Sequence, residues 1–199
     1  MGLNTDALVA LETALEVHSM LFGDLYKEAG IVRRTAVTAG VSMPADPSRI
    51  KTEWELLRMQ LPEILGTTAT IDSLLTSAAF FHIRGKCIQP VNDGNKRTTR
   101  LQASCWLAQA FGSLPHWSFE TTPHEDYYLA LQVAQKTHDL APMVNILRKN
   151  YQLDLLTSPL PSPFRIRPYL IDARTGVSQQ TSAADLFPRS QAEGGLRCL

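Results

Sequence analysis

The segment Gln89-Pro-Val-Asn-Asp-Gly-Asn-Lys-Arg-Thr-Thr-Arg100 is the most informative stretch of this chain. Its centre, residues 93–95 (Asp-Gly-Asn), is typical of a turn, and a helix is predicted to begin near Lys96. Unpaired backbone amides and the helix dipole favour an anion at such a point. Lys96 and Arg97 have the wrong charge for a helix N-terminus unless an anion such as phosphate is bound there.

The charged side chains of this segment indicate which anion it could bind. Arg97 and Arg100 are three residues apart, so both are expected to project from one side of the helix. Their guanidinium groups could then bind a di- or triphosphate with paired hydrogen bonds. Asp93 is the one acid of the segment, and a carboxylate beside phosphates usually holds Mg²⁺. Gly94 allows the backbone to approach a ligand closely. We therefore predict a site for a magnesium-bound nucleotide or polyphosphate, although solvated arginines after an ordinary turn would look similar.

The composition excludes several classes of protein. The 199 residues carry 19 Lys plus Arg and 19 Asp plus Glu, a formal charge of zero, so no broad attraction to nucleic acid or to an anionic membrane is expected. No apolar run approaches the length of a membrane span, and the first residues do not resemble a Sec signal peptide. Three cysteines without a CxxC pair favour a reducing compartment. We predict a cytoplasmic location and leave export without a Sec signal open.

Apolar spacing, capping residues and prolines predict a mostly α-helical fold. Helices are expected over residues 5–29, 48–61, 70–84, 96–112, 124–136 and 141–150, with a loop over 85–95. The β-branched stretch 31–41 favours a short hairpin or an extended flap. A change to Pro, Ser, Gln and Gly after Tyr151 predicts a tail. We therefore expect one domain over residues 1–152, with its core at about 10–150, and a Pro-rich C-terminal tail over 153–199.

The segment 89–100 resembles the signature of the Fic/Doc (Fido) family, His-x-Phe-x-(Asp/Glu)-Gly-Asn-(Gly/Lys)-Arg-x-x-Arg. Residues 17–30 look like the family's opening helix, residues 33–44 fall where it has its target-docking flap, and residues 125–144 look like its closing helices. The resemblance covers about residues 10–150 in order. It implies a Fic fold, a helical domain with a small β-hairpin flap. The matching signature positions are Pro90, Asp93, Gly94, Asn95, Lys96, Arg97 and Arg100.

The resemblance also implies an activity and a set of site residues. Fic enzymes transfer part of a nucleotide, most often AMP from ATP, to a protein hydroxyl. In that scheme Asp93 would hold Mg²⁺, Gly94 and Asn95 would form an anion hole for the α-phosphate, and Arg97 with Arg100 would bind the outer phosphates. The flap would dock a target protein by strand addition, and an antitoxin or other regulator is a further candidate partner. The flap residues assigned to docking are Thr38, Val41 and Met43.

Three positions depart from the family pattern. Gln89 occupies the place of the catalytic histidine, and a neutral carboxamide cannot accept the proton of the attacking hydroxyl. Val91 replaces the usual Phe. Lys96 stands where adenylylating members have Gly and where Doc-type members, which phosphorylate their targets, have Lys. Doc lacks the second arginine that is present here as Arg100, so this chain is a hybrid.

These departures leave three hypotheses. The leading one is a Fic-like pseudoenzyme or regulator that retains a nucleotide site but has lost most or all AMP transfer. The second is an active phosphoryl, nucleotidyl or phosphocholine transferase with non-standard chemistry at Gln89 and Lys96. The third is a protein-binding module that uses the flap. His18 and His82 are predicted to be structural residues and not substitutes for the missing base.

Overall fold

The computed structural model describes residues 5–38, 44–66, 70–111 and 123–151, and within these ranges the regular structure is helical, with no strand. The predicted mostly α-helical class is confirmed. A short 3₁₀ turn, Pro47–Arg49, precedes the third helix. The helices are α1 (Thr5–Leu8), α2 (Leu11–Phe22), α3 (Ile50–Leu65), α4 (Ile71–Ile88), α5 (Asn95–Phe111), α6 (His124–Thr137) and α7 (Ala141–Asn150).

Helix α4 is the centre of the fold and packs against α3, α5, α6 and α7. Trp54 of α3 meets Phe81 of α4 edge to face, with ring centroids 5.8 Å apart, and its indole N–H donates to the Val9 carbonyl at 2.9 Å. A Cβ added at Gly85 would lie 2.9 Å from the Thr99 methyl group on α5. The absence of a side chain at residue 85 therefore lets α4 and α5 approach closely just before the loop that joins them.

The prediction of one helix over residues 5–29 was wrong. The helical chain is interrupted at Ala10, which is extended (φ −66°, ψ 151°), and α2 ends at Phe22. The side-chain amide of Gln102 donates to the Leu8 carbonyl at 2.5 Å and to the Ala10 carbonyl at 3.1 Å. These two carbonyls at the break therefore accept hydrogen bonds from α5.

Two further helix boundaries differ from the prediction. Helix α3 continues through Pro62 to Leu65, because a proline in the last turn removes only one hydrogen bond while Leu61 and Leu65 remain in the core. Helix α4 continues through Gly85 to Ile88, so the loop runs over residues 89–94 and not 85–95. Glycine costs about 1 kcal/mol in a helix, and the close packing against α5 offsets that cost.

The flap and the tail are only partly described. Residues 31–38 form no strand, and residues 39–43, with Val41 and Met43, lie outside the described residues, so the hairpin stays a prediction. The predicted tail over 153–199 and its boundary also lie outside them. None of the described helices combines the length and the apolarity that crossing a bilayer requires.

Candidate active site

The loop between α4 and α5 has two residues in the left-handed region. Gln89 caps α4 with φ 51° and ψ 68°, and Gly94 has φ 77°. The Asn95 carboxamide closes the loop, because its Oδ1 accepts the Val91 N–H at 3.0 Å and its Nδ2 donates to the Val91 carbonyl at 2.7 Å. The Thr98 N–H donates to the Gly94 carbonyl at 3.0 Å, which marks the start of α5. The amides of the first turn of α5 therefore lie at the end of a rigid turn.

Helix α2 contacts this loop through His18 and Phe22. The Gly30 N–H donates to Nδ1 of His18 at 2.8 Å, so Nε2 carries the hydrogen and donates to the Asp93 carbonyl at 3.0 Å. Burial lowers the pKa of His18, which agrees with this neutral tautomer. A Cβ at Gly94 would lie 2.6 Å from the Phe22 ring. The prediction that His18 is structural is confirmed, and Gly94 is required by both its backbone angle and its contact with Phe22.

The Asp93 carboxylate is exposed and ionised. The Gly94 amide and the Tyr26 hydroxyl, 3.1 Å from Oδ2, donate to it and hold its pKa below the usual value. Its side chain is 68% exposed, and Nη2 of Arg97 lies 3.7 Å from Oδ2. The Arg97 guanidinium also lies 4.5 Å from the centroid of the Phe22 ring. Asp93 is thus oriented by the protein and still accessible to a ligand.

The loop opens into a cavity of about 540 Å³, a volume within the usual range for small-molecule sites. Among the described residues, four basic side chains line it, three from α5 and Lys86 from α4, and Asp93 is the one acid. Every predicted site residue within the described part of the chain lines this cavity. These residues are Thr38, Gln89, Asp93, Gly94, Asn95, Lys96, Arg97 and Arg100.

Lys96 and helix α6 form one wall of the cavity. The Lys96 ammonium donates to the Tyr128 hydroxyl at 2.5 Å and lies 4.5 Å from the centroid of that ring. This contact with Lys96 lowers the pKa of Tyr128. His124, which also lines the cavity, packs against Tyr128 with ring centroids 6.2 Å apart. Lys96 is therefore anchored to α6 and presents its charge to the cavity from a defined position.

Sequence reasoning missed several of these residues. Lys86 was assigned to a loop, and His124 is distant in sequence from the motif, so only the packing of α4 and α6 brings them to the cavity. Phe22 and Tyr26 follow His18 at intervals of four residues. That spacing was a signal that all three lie on one face, and all three contact the loop.

A buried chain of hydrogen bonds connects α6 and α4 to the first residue of α5. Because the Thr99 hydroxyl donates to the Asn95 carbonyl at 2.9 Å, His82 must donate to Thr99 through Nδ1, at 3.0 Å. Nε2 of His82 then accepts the Tyr127 hydroxyl at 2.5 Å. Burial, with the nearby charge of Arg100 adding to it, lowers the pKa of His82 to about 3. His82 is a neutral core residue, as predicted, and both of its ring nitrogens are engaged.

The buried state of His82 predicts a pH dependence of stability. The unfolded chain binds a proton at the ordinary histidine pKa of about 6.5, whereas the folded chain binds it only near 3. Stability from this group is therefore complete above pH 6.5 and is lost as the pH falls toward 3. Between pH 6 and 4.5 we expect wild type to lose about 2 kcal/mol more than His82→Asn. Urea unfolding at a series of pH values measures it.

The control for this experiment is His138→Asn, since His138 is exposed. That variant should lose stability with falling pH as steeply as wild type does. Equal slopes for wild type and His82→Asn would show that His82 is not held neutral in the folded protein.

The fold and the site together define a helical domain with an anion-favouring loop at a helix N-terminus and a basic cavity beside it. The model of the Fic/DOC family matches residues 8–107. The chain belongs to the Fic/DOC family.

The comparisons with individual proteins agree with this family. Over 153 residues, 74% of this chain, it is 28% identical to the protein adenylyltransferase fic-1 of Caenorhabditis elegans. The protein of the same name from Caenorhabditis briggsae is 26% identical over the same length. This chain spans 28% of the length of each of these relatives, so it corresponds to one part of them.

Two crystal structures of Bartonella effector proteins share the fold. The BepC protein of Bartonella tribocorum, solved with bound AMPPNP, matches with a TM-score of 0.58 at 19% identity, over 71% of this chain and 74% of that chain. The N-terminal FIC domain of Bep8 from Bartonella sp. 1-1C matches with a TM-score of 0.57 at 15% identity, over 75% and 76% respectively. The helical fold is thus the fold of Fic proteins.

Proposed function

We propose that this chain binds a nucleotide, ATP with Mg²⁺, and that its transfer of AMP to protein hydroxyls is lost or strongly reduced. The observation that carries this proposal is the cavity of about 540 Å³, which the α5 N-terminus, Asp93 and, among the described residues, four basic side chains line together. Such a surface suits a polyphosphate. The adenylyltransferase relatives and the AMPPNP in BepC indicate the same class of ligand.

The residues present fit a magnesium ion that is shared with phosphates. Among the described residues, no group of three or more His, Cys, Asp and Glu side chains could hold a metal alone. Mg²⁺ is commonly bound by one or two carboxylates together with substrate phosphates, and Asp93 is one ionised and exposed carboxylate. When bound, Mg²⁺ would offset the negative charge of the phosphates. Arg97, beside Asp93, would add positive charge on the same side of the cavity.

The residue at position 89 limits the chemistry. In AMP transfer, the hydroxyl oxygen of the target bonds to the α-phosphorus, the bond to the bridging oxygen breaks, and pyrophosphate leaves. The hydroxyl proton must pass to a base, and the neutral carboxamide of Gln89 cannot accept it. His82 has both ring nitrogens engaged in the core. Loss of a general base typically lowers the rate by about 10²- to 10⁴-fold. The chain would therefore still bind the nucleotide and orient the hydroxyl, while AMP transfer is lost or strongly reduced.

Calorimetry tests the binding part of this proposal. Wild-type protein is titrated with ATP, GTP, UDP and CDP derivatives, each with and without Mg²⁺. We expect magnesium-dependent binding of ATP, and Asp93→Asn should weaken it by about tenfold or more. Asp24→Asn is the matched control, because Asp24 is exposed and outside the cavity. If no nucleotide binds, the proposed site does not exist in this form.

An active transferase is the second candidate, and the position of His124 favours it. His124 lines the same cavity as Gln89, and a histidine there is a possible proton acceptor. ATP labelled at the α- or γ-phosphate, incubated with a lysate, distinguishes AMP transfer from phosphoryl transfer. Label incorporated by wild type but not by His124→Gln would favour this candidate over the first.

The docking of a target protein at the flap is a separate proposal. Thr38 lines the cavity, which supports a position of the flap beside the transferred group. A pull-down with wild type and with Val41→Lys tests whether the flap also acts as a binding module without transfer.

A further inference from the structure

Arg33 is a buried arginine that contacts the main chain at the start of the active-site loop. It is 3% exposed. Its own N–H donates to the Pro90 carbonyl at 2.9 Å. Its guanidinium donates from Nε to the Gln89 carbonyl at 2.5 Å and from Nη2 to the Ile88 carbonyl at 3.4 Å. One residue therefore holds three consecutive carbonyls around position 89.

The same guanidinium also contacts the main chain before and after residues 39–43. Nη1 donates to the Thr35 carbonyl at 2.8 Å, and Nη2 donates to the Ala45 carbonyl. Both carbonyls belong to segments that lead toward residues 39–43. Arg33 thus connects the main chain at position 89 to the main chain at Thr35 and at Ala45.

Burial of the Arg33 guanidinium costs desolvation free energy, which its hydrogen bonds must offset. A buried cation needs its donors satisfied, and the side-chain hydrogen bonds of Arg33 to the described residues all go to carbonyls and none to a carboxylate. Gln89 is in the left-handed region with φ 51°, a conformation that a non-glycine residue keeps only when its surroundings enforce it. The Gln89 carbonyl that Arg33 holds is part of that strained residue.

The hydrogen bonds that hold the turn of residues 93–95 do not involve Arg33. The turn of residues 93–95 is held by the Asn95 carboxamide on Val91 and by His18 on the Asp93 carbonyl. A change at position 33 should therefore move residue 89 and leave the phosphate-binding turn in place.

We propose that Arg33 is a positioning residue, which fixes residue 89 relative to Thr35 and Ala45 so that residue 89 faces the acceptor hydroxyl. This inference rests on the proposed function of the cavity. It concerns the transfer step and not the binding of the nucleotide.

The test uses the full chain in the Gln89→His background, where a base is present to report on position. Arg33→Lys and Arg33→Gln are compared with Arg34→Gln, because Arg34 is the exposed neighbour. The dissociation constant for Mg²⁺-ATP is measured by calorimetry, and transfer by label incorporated from α-labelled ATP into lysate proteins at saturating ATP. We expect both Arg33 variants to lower transfer about 100-fold and to leave the dissociation constant nearly unchanged. Arg34→Gln should change neither quantity.

Arg33→Lys is informative because it keeps the charge but not the planar fork of donors. A single ammonium cannot span the four carbonyls, so the lysine should not rescue transfer. Rescue by Arg33→Lys, or a parallel loss of nucleotide affinity and transfer, would contradict the positioning role. A failure of both variants to fold would contradict it too, since Arg33 would then be a general stability residue.

A readout without nucleotide separates this inference from the proposed function. In ¹⁵N-labelled Gln89→His protein, the imidazole signals of the residue at position 89 should shift with Arg33→Lys and not with Arg34→Gln. If ATP does not bind to any variant but these signals move as expected, the proposed function fails while the positioning role survives. If ATP binds and neither the signals nor the transfer rate change, the positioning role fails alone.

Discussion

Gln89→His is expected to raise AMP transfer about 10²- to 10⁴-fold over wild type. Position 89 lines the same cavity as the turn of residues 93–95, and the wild-type carboxamide can donate or accept a hydrogen bond but cannot take up a proton. An imidazole at the same position titrates near neutral pH. The rate of the variant should therefore rise with pH as the imidazole loses its proton and then reach a plateau. Label from α-labelled ATP in lysate proteins, measured from pH 5 to 8.5, checks both expectations.

Gln89→Asn is the control for this gain. It retains a neutral amide at the same position, so its transfer rate should stay at the wild-type level. The dissociation constant for Mg²⁺-ATP should be similar in all three proteins, because residue 89 is not part of the turn at 93–95. Wild-type transfer as fast as that of Gln89→His would contradict the loss of activity and would favour the active transferase.

Gly94→Ala is expected to destabilise the protein by about 2–4 kcal/mol and to abolish measurable nucleotide binding. Gly94 has φ 77°, which costs an alanine about 1–2 kcal/mol. Its new Cβ would also lie 2.6 and 2.9 Å from two ring atoms of Phe22, a contact that the loop can relieve only by moving. Because the amides that follow would move with it, binding should be lost together with stability. Urea unfolding and calorimetry measure the two effects.

Gly66→Ala shows the cost of a backbone conformation without a steric clash. Gly66 has φ 70° and ψ −176°, a region that is almost exclusive to glycine, and a Cβ there would meet no atom within 4 Å. Its cost should therefore be about 1–3 kcal/mol, from the backbone alone, with no change in nucleotide affinity. Gly94→Ala combined with Phe22→Leu should recover part of the binding, since leucine removes the ring atoms nearest to the new Cβ. No recovery of binding in the double variant would show that Phe22 does not constrain the loop.

Local sequence patterns predicted much of the fold and most of the cavity. The turn at 93–95, the helix that follows it and the pair Arg97 and Arg100 depend on short-range preferences for glycine, asparagine and charge. The structure brings all of these residues to one cavity. The same short-range preferences ended α3 before Pro62 and α4 before Gly85, and both boundaries were wrong. At these positions burial against neighbouring helices outweighs a cost of a few kcal/mol at most in helix propensity.

The amino-acid order alone was enough to predict a helical chain with an Asp-Gly-Asn turn before a helix and an amide at position 89, because these features involve neighbours within a few residues. Long-range packing was needed to bring Lys86 and His124 to the cavity, to place Tyr26 on Asp93, and to direct the Arg33 guanidinium to carbonyls at residues 35, 45, 88 and 89. Contacts between residues that are distant in sequence leave no periodic signal. They form only when the buried faces of α2, α4, α5 and α6 pack together.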